Sequence, residues 1–346
     1  MRRALRAFLG ALLIVSLAWS GGTAVQLFGS GPARLWVDRE ADRILAEVDR
    51  QLARVAGPER IGGRVSALLA EEPRNWLALD AVLAEAARLG VAMPPDLATR
   101  VEAARAEDFS KWARAERCSR CAMNPEQCSF DLVIPCRGPV VLTPIADLTD
   151  LVREGRKYLR GEDVDEVIVI LSAIGLAALV APPVKTAAGL AKLASTMGAM
   201  PGWMMRSLSD AARRAVDWAS LPKVRHPSDV RLLLRQDELQ PTLTMLGGAR
   251  RVLDGAGAAG GLYLIGKTAD AADLARLARV SEAAGERTVG AMEILGKSRL
   301  LRTALRLSDE ALQLVAGLAA AVAALVGVLL SGTTSLALRT ARRRLG

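Results

Sequence analysis

The feature that most constrains this chain is an uncharged apolar stretch in its middle, residues 167–184. A helix over these eighteen residues would be about 27 Å long, which nearly spans the ~30 Å hydrocarbon core of a bilayer. Asp163 and Glu166 have the spacing of a capping box and predict the start of the helix, while Pro182 and Pro183 predict its end. The stretch therefore indicates a central transmembrane segment.

A second apolar stretch, residues 186–205, follows the double proline and is interrupted only by Lys192. Together the two stretches predict a hydrophobic helical hairpin over residues 164–206, with Lys192 shallow enough for its ammonium group to reach water. If both stretches cross the membrane, residues 207–308 return to the side of residues 34–163. If only the first crosses, the two segments lie on opposite sides. The sequence slightly favours the hairpin and leaves the side of residues 207–308 open.

Both ends of the chain have the composition of membrane segments. Residues 1–33 predict a signal peptide or an uncleaved signal-anchor, because three arginines precede a thirteen-residue apolar run. The basic start is expected in the cytoplasm, so residues 34–163 are expected to be exported, as in a protein of a bacterial inner membrane. Residues 309–338 predict a C-terminal transmembrane helix, since they include twenty-eight consecutive uncharged residues, and the tail 339–346 adds four arginines.

Small residues recur at every fourth position of the C-terminal apolar segment. This stripe consists of Ala319, Ala323, Gly327 and Ser331. Small side chains let a second helix approach closely in a bilayer. The stripe predicts packing against another helix of this chain or, alternatively, against a second copy, which would make the protein a homo-oligomer.

Composition indicates an all-α protein, because apolar residues make up 51% of the chain and aromatic residues only 3%. The net charge of +9 is concentrated at the two ends and beside the apolar stretches, where positive-inside anchoring explains it. A nucleic-acid-binding protein would carry a basic stripe with interleaved aromatic residues, so no nucleic-acid partner is predicted. The predicted partners are the lipid bilayer and another membrane or exported protein.

Residues 34–163 are predicted to form a small helical bundle, since their apolar residues recur every three or four positions. The last helix of this bundle is expected to begin at Thr143 and Pro144. Its apolar face comprises Ile145, Leu148, Val152 and Leu159.

Four cysteines lie in residues 118–138, which are predicted to form an irregular loop. They are Cys118, Cys121, Cys128 and Cys136. An even number of cysteines in an exported segment predicts two disulfides, but four cysteines allow three connectivities. A zinc site is one alternative, disfavoured because no histidine is nearby. Redox chemistry at Cys118 and Cys121 is the other, disfavoured because this pair follows a helix instead of beginning one.

Residues 207–308 are predicted to form a second helical segment, preceded by a basic amphipathic stretch. Arginines alternate there with small and apolar residues between Trp203 and Trp218. This pattern fits a helix on a membrane surface and the solvated face of a bundle helix equally well. His226, the only histidine, precedes a proline and is predicted to be a loop residue and not a catalytic base.

Residues 261–268 match the phosphate-loop pattern G-x4-G-K-[ST]. The bulky side chains at 262–265 are unsuited to a loop whose backbone amides converge on a phosphate, so nucleotide binding is not predicted. Similar sequences at 294–298 and 245–249 indicate helix punctuation instead, in which a glycine ends one helix before the next begins. No cofactor or metal is predicted.

The sequence predicts a membrane-anchored, non-enzymatic interaction or assembly protein whose exported, disulfide-stabilised helical domain contacts its partner. A membrane-inserting or pore-forming protein is the first alternative, since a hydrophobic hairpin among basic amphipathic helices suits insertion. A Cys-x-x-Cys membrane redox protein is the second. An enzymatic function is not predicted, because the sequence shows no paired histidine and carboxylate, no serine nucleophile elbow and no metal-binding histidine pair.

Overall fold

A computed structural model of the chain describes residues 31–178 and 182–304. Within these ranges the chain is predominantly helical, and its β-type pairing is limited to an isolated antiparallel bridge between Val216 and Leu234. The predicted all-α class is therefore confirmed. The predicted C-terminal transmembrane helix and basic tail lie outside the described residues, as does nearly all of the N-terminal segment. So does the small-residue stripe of Ala319, Ala323, Gly327 and Ser331.

In the described part of the chain, seven α-helices precede the central apolar stretch. They are α1 (Gly31–Val55), α2 (Pro58–Leu69), α3 (Trp76–Arg88), α4 (Pro95–Asp108), α5 (Lys111–Met123), α6 (Phe130–Val141) and α7 (Pro144–Arg160). Prolines occupy the first turns of α2, α4 and α7. A backbone N–H in the first turn has no acceptor within the helix, so the absence of this group in proline breaks no helical hydrogen bond. The side chains of Asn75, Ser110 and Thr143 accept backbone N–H bonds at the starts of α3, α5 and α7. Local sequence rules thus account for these boundaries.

The cysteine-containing segment is mostly helical, which corrects the expectation of an irregular loop over residues 118–138. Cys118 and Cys121 lie in α5, Cys136 lies in α6, and the connection contains a 3-10 turn (Pro125–Gln127). Helix α6 continues through two internal prolines. Its packing against later helices of the fold supports it, because tertiary contacts can outweigh the low helix propensity of proline.

The central apolar stretch forms two helices that pack against each other inside the fold. Helix α8 (Glu166–Ala177) begins at Asp165, whose side chain accepts the backbone N–H of Ile168, and α9 (Pro182–Thr196) follows it. All ten residues from 167 to 176 are buried, and α8 packs against α7, α9 and α10 (Gly202–Ala215). Two expected boundaries are wrong: Asp165 and not Asp163 caps α8, and the double proline opens α9 instead of ending α8.

No single helix in residues 31–178 and 182–304 is both long and apolar enough to cross a membrane. Helices α6 and α7 meet the length and composition criterion only when taken as a pair, and that pair is bent by 77°.

After α10, the described chain continues through six further helices and three short 3-10 turns. The helices are α11 (Val230–Leu233), α12 (Gln240–Ala256), α13 (Ala258–Gly266), α14 (Ala271–Ala284), α15 (Arg287–Leu295) and a final segment over residues 297–304. The turns are Leu221–Lys223, Pro227–Asp229 and Gln236–Leu239.

Helices from both ends of the described chain share one hydrophobic core. Helix α1 packs against α14 and α15, and α3 packs against α15. Polar contacts also join α2 and α3 to α15. Arg64 Nε donates to Glu293 at 2.6 Å and Arg287 Nε donates to Glu85 at 2.8 Å. Residues 34–163 and residues 207–308 are therefore in direct contact.

Candidate interaction surface

Two disulfides join the elements around the cysteine-containing segment. Cys118 bonds to Cys136 and links α5 to α6, while Cys121 bonds to Cys128 in the connection between them; the Cα atoms are 5.5 and 4.4 Å apart. The prediction of two disulfides is confirmed, and the structure selects one of the three connectivities. Because neither bond joins Cys118 to Cys121, the disulfide of a Cys-x-x-Cys redox motif is not the one present.

Two arginines add polar contacts between α5 and the start of α6. Arg117 donates to Ser129 Oγ at 3.1 Å and forms an ion pair with Asp131 at 3.2 Å. Arg137 of α6 donates to the backbone carbonyl of Cys121 at 3.4 Å, so it adds a contact between α6 and the C-terminal part of α5. Burial lowers the pKa of the Arg137 guanidinium, and the carboxylate of Asp150 opposes that effect. The contacts and the disulfides together hold α5 and α6 as one unit.

Residues 111–145, which we call the disulfide unit, expose large apolar side chains. The described residues include seven large hydrophobic side chains that are exposed, and four of them belong to this unit. These four are Trp112 at 88%, Met123 at 69%, Val140 at 68% and Ile145 at 77%. Surface hydrophobic residues scattered singly are ordinary, and the concentration of four in one short unit makes this unit the candidate contact surface.

Helix α7 buries polar residues and exposes apolar ones, which corrects the apolar face assigned to it from the sequence. Its buried residues are Asp147, Leu151, Glu154 and Gly155. Ile145 and Leu159 are exposed instead, and Leu148 and Val152 are half-buried. Gly155 explains part of this orientation, because a Cβ there would lie 3.0 Å from the backbone oxygen of Leu221. A residue with a Cβ at this position would push the 3-10 turn away from α7 by a few tenths of an ångström.

The inward-facing carboxylates of α7 meet the ammonium group of Lys192 in α9. Lys192 Nζ donates to Asp147 Oδ1 at 2.5 Å, to Asp150 Oδ2 at 2.9 Å and to Ser172 Oγ at 3.4 Å. The side chains of Lys192 and Asp147 are only 3% and 5% exposed. The expectation that Lys192 reaches water is therefore wrong. Its charge is instead balanced inside the fold, since an unpaired buried charge costs several kcal/mol.

Asp147 occupies a tight place between α7 and α8. Burial raises the pKa of its carboxyl group above the usual range, and the neighbouring Lys192 partly offsets this. A Cβ at Gly175 of α8 would lie 2.7 Å from Asp147 Oδ2. Gly175 thus makes room for a carboxylate against an otherwise apolar helix, and it fixes where that carboxylate can lie.

Glu154 makes a second buried contact between α7 and the start of α8. Its carboxylate accepts from Lys157 Nζ at 3.1 Å, from Arg153 Nε at 3.1 Å and from the backbone N–H of Asp165 at 3.0 Å. Burial alone would raise the pKa of Glu154, but these hydrogen bonds outweigh burial and lower it below its ordinary value. The carboxylate is therefore held in its charged form although its side chain is only 1% exposed.

The cluster of Lys192 with the acidic residues of α7 was not predicted from the sequence, although both the lysine and the acidic residues are recognisable there. Asp147, Asp150 and Glu154 follow one another at helical spacings of three and four residues. Lys192 is the only charge in its apolar stretch. A lone charge in an apolar helix calls for a buried partner, and a helix with regularly spaced acids can supply one.

The first six residues of the phosphate-loop match lie in a helix, and Lys267 and Thr268 follow the end of that helix at Gly266. Residues 261–266 belong to α13, and a Cβ at Gly261 would lie 2.7 Å from the Cα of Leu253 in α12. This glycine serves helix packing. The Lys267 ammonium lies 4.8 Å from the centre of the Tyr263 ring. The expected punctuation is present at Gly296, which separates α15 from the last helix, but it is wrong for residues 245–249, which lie inside α12.

The remaining motifs have structural roles. His226 precedes a 3-10 turn, and its backbone N–H donates to Asp229 at 2.8 Å, which confirms it as a loop residue. Helix α10 buries one face, and its three arginines lie exposed on the other. Trp203 Nε1 donates to Thr268 Oγ1 at 3.1 Å. This arrangement favours the solvated face of a bundle helix over a membrane-surface helix.

In residues 31–178 and 182–304, no group of three or more His, Cys, Asp or Glu side chains could hold a metal ion. Comparison with known protein families, with curated proteins and with solved structures finds no match to this chain.

Proposed function

We propose that this protein is a membrane-anchored, non-enzymatic interaction or assembly protein. In this proposal the described helices form one exported body, which segments 1–33 and 309–338 anchor to the membrane. The disulfide unit is its contact surface. The observation that carries the proposal is the direct packing of α1 and α3 against α14 and α15.

That packing bears on topology because two segments that share a core must lie on the same side of a membrane. A chain that crossed the bilayer once between residues 163 and 207 would separate α3 from α15. It would also break the hydrogen bond between Arg287 and Glu85, which measures 2.8 Å. We therefore infer that the chain does not cross the membrane a single time between residues 163 and 207.

The central helices find their partners within the protein. The ten residues 167–176 of α8 are buried against α7, α9 and α10, and Lys192 of α9 is paired with carboxylates of α7. We therefore assign the membrane crossings to the two terminal segments. Both arginine-rich ends then lie in the cytoplasm, as the positive-inside rule requires, whereas a single central crossing would place the C-terminal arginines outside.

An exported location also suits the two disulfides, which persist in oxidising compartments. The disulfide unit holds Trp112 and Met123 at opposite ends of α5 and leaves both exposed. Tryptophan and methionine are enriched at protein interfaces, so we assign the partner contact to this unit.

Thiol accessibility in intact cells tests the proposal. The native cysteines are all paired, so a membrane-impermeant maleimide would report only on cysteines introduced at exposed positions. We expect Thr99→Cys and Ser298→Cys both to be labelled before permeabilisation, and Ala4→Cys to be labelled only afterwards. Labelling of Thr99→Cys without Ser298→Cys would place a crossing between them and overturn the proposal.

The contact role of the disulfide unit is tested separately. We expect the double variant Trp112→Ala and Met123→Ala to reproduce the phenotype of a deletion while its abundance and thermal stability stay unchanged. Thr99→Ala, which alters an exposed residue of α4, is the matched control. Normal function of the double variant would remove the disulfide unit from the contact surface.

A pore-forming function is the second candidate, favoured by the apolar pair α8 and α9 at the centre of amphipathic helices. Insertion would require this pair to leave α7, and the contacts of Lys192 oppose that step. Dye release from vesicles tests it. If the pair inserts, Lys192→Met should release dye faster than the matched variant Lys185→Met, whereas no release by either variant removes this candidate.

A further inference from the structure

The outer face of α7 carries an apolar stripe. Ile145, Val152 and Leu159 recur at seven-residue intervals, so they lie along one side of the helix. The stripe extends over about 21 Å of helix. Ile145 and Leu159 are 77% and 69% exposed, and Val152 is half-buried. Ile145 is also the last residue of the disulfide unit, but the partner contact proposed for that unit rests on Trp112 and Met123 of α5, whereas the stripe lies on α7.

The charges of α7 are sorted between its two sides. The carboxylates are turned inward, with side-chain exposures of 5% for Asp147, 16% for Asp150 and 1% for Glu154. Arg160 is turned outward with a side-chain exposure of 68%, and Arg156 is exposed as well. Arg153 has a side-chain exposure of 53%, but its guanidinium group also pairs with Asp150 and Glu154. Beyond the end of the helix, Glu162 lies 3.5 Å from Arg160 and partly balances it. The solvent side of α7 itself thus presents apolar and cationic groups together.

We propose that this outer face of α7 docks on a phospholipid bilayer that contains anionic lipid. Apolar side chains flanked by arginines match the boundary between acyl chains and headgroups: the apolar groups enter the interface, and the arginines reach phosphates on their long stems. The inward carboxylates favour this arrangement because they keep negative charge away from the lipid phosphates.

The position of α7 in the chain favours a bilayer over a protein as the occupant. This step rests on the proposed function, because the apolar segments 1–33 and 309–338 then hold the described body next to the membrane. Tethering gives this face a high effective concentration at the bilayer, so even a weak interaction through a few residues is sufficient for docking. Exposed arginines also complement anionic headgroups, whereas an apolar protein groove would leave those charges unpaired.

Depth-dependent quenching in reconstituted vesicles tests the docking. The full chain would carry a fluorophore on Ile145→Cys, on Leu159→Cys or, as the control on α4, on Thr99→Cys. The vesicles would contain nitroxide-labelled lipid in phosphatidylglycerol and phosphatidylcholine, or in phosphatidylcholine alone. We expect quenching at positions 145 and 159 but not at position 99, and we expect it to be stronger in the vesicles with phosphatidylglycerol. Equal quenching at all three positions, or none at 145 and 159, would overturn the proposal.

Charge reversal tests the role of the arginines. The double variant Arg156→Glu and Arg160→Glu should lose the quenching at position 145, since each basic residue near an anionic surface changes partitioning by about fivefold. The double variant Arg43→Glu and Arg100→Glu makes the same change of net charge on exposed positions of α1 and α4, and it should retain the quenching. Equal loss in both variants would contradict a specific role for α7.

Two controls separate this inference from the proposed function and from self-association. Carbonate extraction of the same vesicles reports on the terminal anchors; a protein that resists carbonate but shows no quenching at position 145 retains the proposed function and loses the docking. Release by carbonate would count against the proposed function itself. Oxidative cross-linking of two Ile145→Cys chains without lipid quenching would show that a second copy covers this face, and would overturn the docking.

Discussion

The ammonium group of Lys192 lies 2.5 Å from Oδ1 of Asp147, and both side chains are buried between α7, α8 and α9. This contact fixes the central helices to α7. The second apolar stretch, which was predicted to form a membrane hairpin with the first, is thereby joined to α7 by a buried ion pair.

Removing Lys192 should strongly destabilise the fold, because the buried carboxyl group of Asp147 would lose its charged partner and would have to remain charged and unpaired or take up a proton. We expect Lys192→Met to lower the free energy of unfolding by about 3 to 5 kcal/mol. The double variant Lys192→Met and Asp147→Asn should recover part of that loss, since it removes the carboxyl group that has lost its partner. Denaturant unfolding of the purified protein measures both, with Lys111→Met at the exposed start of α5 as control. A loss no greater than that of the control would show that the ion pair is not maintained.

Glu154 should make the free energy of unfolding depend on pH in the acidic range. Because its pKa is lowered in the folded state, the stability that it contributes is fully present above its ordinary value of 4.5. That contribution is lost as the pH falls through the lower folded pKa. Glu154→Gln should therefore be less stable than the wild type at neutral pH, and the difference should shrink in acid. Unfolding curves across this range test the prediction, and a difference independent of pH would contradict it.

The disulfide connectivity predicts which cysteine variants are additive. Breaking one disulfide should cost about 2 to 5 kcal/mol. The pair Cys118→Ser and Cys136→Ser removes the two ends of a single bond, so the double variant should be no less stable than either single one. The pair Cys118→Ser and Cys121→Ser removes both disulfides and should cost more than either single variant. Thermal unfolding decides between these patterns, and the reverse pattern would indicate a different connectivity.

Substitution of two glycines by alanine should have opposite effects, because one glycine lies where two helices pack closely and the other lies on open helix surface. A Cβ at Gly290 of α15 would lie 2.5 Å from the carbonyl oxygen of Ala81 in α3, so we expect Gly290→Ala to destabilise the protein by about 1 to 3 kcal/mol. Gly63 of α2 has open space around it, so Gly63→Ala should stabilise the protein by about 0.5 to 1 kcal/mol. Equal effects in an unfolding assay would mean that α3 and α15 are not packed as described.

The sequence alone determined the features that depend on a few neighbouring residues. The all-α class follows from composition and from apolar residues at helical spacing. The starts of α2, α4 and α7 follow from their prolines and caps, since capping is settled within one turn. The presence of two disulfides was also predictable from four closely spaced cysteines.

Tertiary structure alone decided which faces are buried and which distant residues meet. A helix such as α7 offers one apolar side and one acidic side, and periodicity cannot tell which of them will face the core. That choice depends on Lys192, 45 residues away from Asp147, and on the space that Gly175 leaves for a carboxylate. The burial of α8 likewise depends on the helices that surround it, because an apolar segment gains similar free energy from a protein core and from a bilayer.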